Sequence, residues 1–128
     1  MKNSDPFFNH EAVAYGLVWN AALRQQARKS GMGTGQLQTL VCLYVLTHEQ
    51  RLRISTANTS TLAKASTISI SLLRAYIREL VGSGAVRRVA YYPRAERQLS
   101  VTEAGLSIVR SYLLALSRRA YAFQKVSP

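Results

Sequence analysis

The chain has 128 residues, 48% of them hydrophobic and 18% charged, which suits one domain with its own core and excludes a disordered tail protein. Lys and Arg outnumber Asp and Glu by 17 to 6, so the formal charge is +11 and the pI near 10.6, a balance that favours polyanionic partners. The single cysteine excludes an internal disulfide and fits a reducing cytoplasm, and no signal-peptide block or membrane-length apolar run is visible, the stretch from Leu40 to Leu46 being too short.

In chain order, Met1 to Pro6 reads as an arm, followed by Phe7 and Phe8, which are too apolar to stay in water. The pattern then predicts a helix from about Asn9 to Lys29 with Val13, Leu17, Trp19 and Leu23 as its main apolar content. These residues fall on more than one face, so part of the helix is expected to pack on a partner chain. Ser30-Gly-Met-Gly-Thr-Gly35 is a break, and it is no phosphate loop, since no strand precedes it and no Gly-Lys-Ser/Thr follows. A second helix is expected from Gln36 to about Glu49, with Leu37, Leu40, Val41, Tyr44 and Leu46 buried beneath the segments that follow. Cys42 lies inside it. A redox switch and a small core thiol both fit that position, and the core thiol is preferred. Arg51 to Asn58 predicts a short strand near Ile54, then a polar loop.

The stretch from Thr59 to Val101 carries the chemistry. Thr59-Ser-Thr-Leu-Ala-Lys-Ala65 opens with hydroxyl residues suited to an N-cap and puts Leu62 and Ala63 on one face, stopping at Ser66-Thr67. From Ser69 a second helix follows, in which Leu73, Ile77 and Leu80 share one face with Tyr76 beside it. Its other face holds Ser71, Arg74, Ala75 and Arg78, flanked by Ile70 and Leu72. Small residues at 71 and 75 allow close approach to DNA, and guanidiniums at 74 and 78 can reach guanine edges or phosphates. Gly82-Ser-Gly84 ends the helix, and Ala85 to Tyr92 reads as a strand. Pro93-Arg-Ala-Glu96 reads as the turn, and Arg97 to Val101 returns with Leu99 and Val101 on a buried face. Arg94 and Arg97 make the hairpin tip basic, as suits a ribbon lying along a DNA backbone and entering the minor groove. From Arg51 to Val101 the basic residues Arg51, Arg53, Lys64, Arg74, Arg78, Arg87, Arg88, Arg94 and Arg97 face only Glu79 and Glu96, so the charge excess is concentrated here. Thr102 then caps a helix running to about Phe123, with Glu103 against its dipole and Leu106, Val109, Leu113 and Leu116 repeating at threes and fours. Arg110, Arg118 and Arg119 mark its wet face.

The run from Leu62 to Arg88, with its Leu-Ala pair and Gly-x-Val-x-Arg exit, and Leu99-Ser-Val-Thr-Glu-Ala-Gly105 after it, resembles the multiple antibiotic resistance regulator (MarR) family of bacterial transcription factors. The resemblance covers roughly the middle half of the chain and implies a homodimer that binds palindromic duplex DNA, in the usual case as a repressor, in the bacterial cytoplasm at the nucleoid. In members of that family a small molecule sits between the dimer helices and the recognition domain; here Tyr15, Trp19 and Tyr44 could line such a space with Asn20, Gln38 and Thr39 nearby, but plain core is the commoner role of aromatics at such positions, and the resemblance names no effector. The family's Asp-x-Arg wing tip is replaced here by Pro93-Arg94-Ala95, which passes the backbone contact to Arg94 or Arg97.

The expected fold is therefore mainly α with a small β-hairpin wing, an α+β winged helix-turn-helix in the order helix, helix, short strand, helix, helix, two strands, helix. One domain spans residues 1–128, with the winged-helix core at about 36–101 and terminal helices at about 7–29 and 103–123 for dimerisation. The DNA-binding candidates are Ser69, Ser71, Arg74, Ala75, Arg78, Arg88, Arg94 and Arg97. The dimerisation candidates are Phe7, Phe8, Val13, Leu17, Leu106, Val109, Leu113 and Leu116. No enzyme, metal or cofactor is expected: His10 and His48 stand alone beside Glu11 and Glu49, neighbours that point apart on a helix, and there is neither a paired carboxylate nor a Gly-x-Ser-x-Gly elbow. The competing functions are a winged helix used as a protein-interaction adaptor and a non-specific nucleic-acid binder. Arg74 and Arg78 discriminate, because an adaptor has no need of two arginines facing a groove.

Overall fold

The structure is a computed structural model, and it describes residues 10–49, 59–91 and 94–126. Five helices and one hairpin follow each other as α1 (His10–Ser30), α2 (Thr34–Glu49), α3 (Thr59–Ser66), α4 (Ile70–Gly82), β1 (Val86–Tyr91), β2 (Arg94–Val101) and α5 (Glu103–Val126). This is the winged helix-turn-helix the sequence pattern implies. Phe7, Phe8, Pro93 and the strand expected near Ile54 lie outside the described residues, as do the side chains of Val13, Tyr15, Arg94 and Arg97.

Helix α2 is apolar around its circumference and sits at the centre, touching α1, α3, α4, α5 and β2. Leu37, Leu40, Val41 and Leu43 of α2 join Leu62 of α3, Leu73, Ile77 and Leu80 of α4, Val86 and Leu99 of the wing, and Val109 and Tyr112 of α5 in one buried cluster. Cys42, Tyr44 and Leu46 are half-buried against it. Helix α1 buries Val18, Ala22, Leu23 and Ala27 and leaves Leu17 63% exposed, so the apolar content it carries beyond one stripe faces outward.

The glycine-rich break after α1 is shorter than its composition suggests. Gly31 has a φ of +69°, its N–H donates to the Arg28 carbonyl, and the Met32 N–H donates to Ala27, which closes the helix end in a Schellman turn. The second helix starts at Thr34, two residues before the expected Gln36. Gly35 therefore lies inside the first turn, where the Tyr76 ring of α4 crosses it so closely that a Cβ would overlap the ring. That glycine serves helix packing, not chain reversal.

The hairpin also differs from its expected form. Strand β2 begins at Arg94, not Arg97, and pairs antiparallel with β1 from Val86↔Val101 outward. The register slips between Ala90, opposite Arg97, and Tyr91, opposite Arg94, so the extra residues Ala95 and Glu96 are taken up in a bulge on β2. Arg94-Ala-Glu96 reads as a turn because it is polar. Ladder hydrogen bonds use the backbone, however, and need no apolar alternation to continue.

Candidate nucleic-acid interface

The turn between α3 and α4 fixes how α4 is presented. Thr67 takes a left-handed φ of +60°, its N–H donates to the Ala63 carbonyl at 3.1 Å, and the Ile68 N–H donates to Ser66 Oγ at 3.3 Å. Ser69 is the extended N-cap of α4, and its hydroxyl makes no capping bond. No acidic residue occupies the first turn of α4, so the positive end of its dipole is uncompensated from within the helix.

Leu73, Ile77 and Leu80 seat α4 on the core, as their spacing predicts, and this turns the opposite face outward. Ser71, Arg74 and Arg78 are exposed on that face, and Ser69 is exposed at the N-terminus of the helix. Ala75 is half-buried among them, a small step in the surface that neither donates nor accepts. Ile70 and Leu72, at 45% and 47% exposed, stand on either side of Ser71.

The base of the wing is tied to α4 and α5 by a short relay. The Gly84 N–H donates to Val81 and the Ala85 N–H to Leu80, with Gly84 at a φ of +85°, which ends α4 in a second Schellman turn. The Thr102 hydroxyl donates to the Gly84 carbonyl and accepts the Gly105 N–H at 3.1 Å, while the Thr102 N–H donates to the Ala85 carbonyl at 3.0 Å. Thr102 is thus the N-cap of α5 and the clamp on the wing at once. Gly105 sits so close to the Ala85 carbonyl oxygen that no side chain fits.

Along β1, Val86 and Arg88 point to the core side, Arg88 opposite Leu99, while Arg87 points away opposite Ser100. Both arginines are exposed. Arg87 and Lys64, at the end of α3, are also exposed, though neither is among the expected site residues. Their signal was the local charge excess, which names no individual residue. The described basic side chains Lys64, Arg74, Arg78, Arg87 and Arg88 therefore belong to three consecutive elements, α3, α4 and β1.

The terminal helices pack parallel to one another, with Trp19 edge-on to Tyr112 at 5.5 Å and 80°, and the Arg119 Nε–H donating to Gln25 Oε1 at 2.9 Å. Leu17, Trp19, Leu113, Leu114 and Tyr121 remain exposed along this pair. Among the expected dimer residues, Leu17 and Leu113 are on the outer surface and Leu106 and Leu116 are half-buried. Val109 is a correction: it is fully buried in its own chain's core and has no surface to offer a partner. Its three-and-four spacing with Leu106 and Leu113 could not say which of two faces each residue takes. Leu114, 52% exposed, is also on the outer surface and was not among the expected dimer residues.

Of the residues expected around an effector, the side chain of Tyr15 lies outside the described residues. Trp19 packs edge-on to Tyr112, Asn20 is exposed, and the buried Thr39 donates its hydroxyl to the Gly35 carbonyl at 2.8 Å. A cleft of about 240 Å³ lies between the C-terminal halves of α1 and α5, lined by Gln25, Gln26, Lys29, Ser111, Arg118 and Arg119 among others. Burial pushes the Cys42 thiol above its ordinary pKa. The Tyr112 hydroxyl is fully buried without a hydrogen-bond partner among the described residues, and its pKa is raised by the same cause. No group of described His, Cys, Asp and Glu side chains is placed to hold a metal ion, and no described helix is long and apolar enough to cross a membrane.

No family model and no curated protein matches the sequence. Solved structures share its fold. A mutant of Staphylococcus aureus MepR bound to an oligodeoxyribonucleotide superposes with a TM-score of 0.70 at 12% identity, over 100% of this chain and 86% of that one. A MarR-family transcriptional regulator from Silicibacter pomeroyi gives 0.66 at 20% identity, over 89% and 73%. The Mycobacterium tuberculosis MarR-family protein Rv2887, in complex with p-aminosalicylic acid, gives 0.64 at 17% identity, over 94% and 86%. The chain has the winged-helix fold of these regulators.

Proposed function

We propose that this protein is a sequence-specific DNA-binding transcriptional regulator that acts as a homodimer on palindromic duplex DNA. Helix α4 enters the major groove, with Ser69, Ser71, Arg74 and Arg78 toward base edges and Ala75 allowing close approach. Arg88, Arg94 and Arg97 of the wing, joined by Arg87, hold the flanking backbone. The observation that carries this is the outer face of α4, where two guanidiniums and the Ser71 hydroxyl are exposed on a helix whose other face is locked into the core. The shared fold with a DNA-bound MepR mutant supports it. A regulator of this kind would act at the bacterial nucleoid, as a repressor where its site overlaps a promoter. One domain serves both tasks, with residues 36–101 as the reader and α1 and α5 as the dimer helices. Any effector would have to bind the DNA-free form more tightly than the DNA-bound form, because equal affinity for both shifts nothing.

Selection from a pool of random duplexes tests the proposal. The expected product is an inverted repeat with half-sites about one helical turn, ~10 bp, apart. Recovery of no common motif, with binding that disappears at moderate salt, would leave a non-specific binder, and no binding at all would leave the adaptor.

A further inference from the structure

Ile70 and Leu72 stand out on α4. Every other large aliphatic residue of the helix is buried or half-buried, yet these two are 45% and 47% exposed in its first turn. At 100° per residue they lie on opposite shoulders of the helix, with Ser71 between them on the outward face, and Arg74 follows Ile70 one turn later on the same shoulder. The first turn of a recognition helix is the part that goes deepest into the major groove. The groove floor offers one apolar group, the 5-methyl of thymine, and apolar side chains are what contacts it.

We infer that Ile70 and Leu72 read thymine methyl groups, so that each half-site carries thymines at two separate base pairs beside the guanine contacted by Arg74 or Arg78. This rests on the proposal that α4 binds DNA and adds which bases its first turn selects. Charge favours DNA as the occupant of these shoulders over a protein. Arg74 stands one turn from Ile70 on the same shoulder, no acidic residue lies in the first turn, and Glu79, which shares the shoulder of Leu72, is about two turns along the helix. A protein partner covering the two aliphatic side chains would have to desolvate the Arg74 guanidinium, whereas a nucleic acid supplies phosphates and guanine edges for it. The hydroxyl of Ser71 between the shoulders adds a contact that either base type can accept.

Deoxyuridine substitution tests the inference, because it removes the 5-methyl and leaves the pairing edge unchanged. Each thymine of the selected duplex is replaced in turn, and affinity is measured for the parent, Ile70→Ala, Leu72→Ala and Arg74→Ala, all at exposed positions, with folding checked by circular dichroism. The parent should lose about fourfold at one thymine per shoulder, the worth of one buried methyl-sized group. Ile70→Ala should be indifferent to the substitution at one of these thymines and Leu72→Ala at the other. Absence of any sensitive thymine, or sensitivity that persists in both alanine variants, would overturn the inference. If Arg74→Ala still loses affinity in that case, only the thymine assignment fails. If Arg74→Ala binds like the parent, the placement of α4 in the groove fails with it.

Discussion

Tyr112 shows how much a single atom can weigh in this core. Its ring is fully buried against Trp19, and its hydroxyl finds no partner among the described residues to replace the water lost on folding. Tyr112→Phe should therefore raise stability by about 1 kcal/mol, read as a higher Tm. The pH dependence has a definite sign. Burial favours the neutral phenol in the folded state, so the unfolded chain ionises first, and stability held below pH ~10 declines as pH rises above it. The phenylalanine variant should decline less. A fall in Tm for Tyr112→Phe at neutral pH would mean that the hydroxyl has a partner. Cys42 is governed by the same physics: desolvation keeps its thiol protonated, and only the thiolate reacts readily with peroxide. Cys42→Ser should bind DNA like the parent before and after peroxide, by fluorescence anisotropy. Release of the parent by peroxide, lost in the serine variant, would make Cys42 a sensor. At this scale the sequence told much about Arg74 and Arg78, because residue type and helical phase together determine where they point. It was silent on Tyr112, since nothing in a sequence says whether a buried hydroxyl finds an acceptor.

At the scale of elements, α4 was legible almost to the residue. Three buried positions at four-and-three spacing allow only one orientation of the helix on the core. The wing was less legible, because backbone pairing carried β2 through charged residues that composition assigns to a turn. The joint between wing and α5 was half visible. Thr102 was recognisable as a cap, but its second role and the close approach of Gly105 to Ala85 depend on residues brought together by the fold. Thr102→Ala should cost about 1–2 kcal/mol, the scale of a lost N-cap. Gly105→Ala should cost about 1–3 kcal/mol, because the added methyl group meets a backbone carbonyl that cannot rotate away. Both are measured by denaturant unfolding, and a Gly105→Ala variant as stable as the parent would contradict the packing described.

For the whole molecule, Leu17, Trp19, Leu113, Leu114 and Tyr121 on α1 and α5 expose more apolar surface than the fold needs for itself. A homodimer through these two helices is expected at micromolar concentration by light scattering, and Leu17→Glu with Leu114→Glu should yield a folded monomer. A parent of monomer mass would remove the basis for a palindromic site. Dimerisation also bears on DNA affinity, since two copies each of charge +11 meet the duplex together and much of the binding should come from counterion release. Such binding alone is not regulation. Whether α4 reads bases is decided by the affinity ratio between the selected duplex and a scrambled one at physiological salt. The ratio should be about 10³ or more for the parent, and Arg74→Ala and Arg78→Ala should each lose about 1–3 kcal/mol on the selected duplex while keeping most of their affinity for the scrambled one. A parent ratio near one, or equal losses on both duplexes, would contradict base reading by α4 and reduce the protein to a basic winged helix that binds any polyanion.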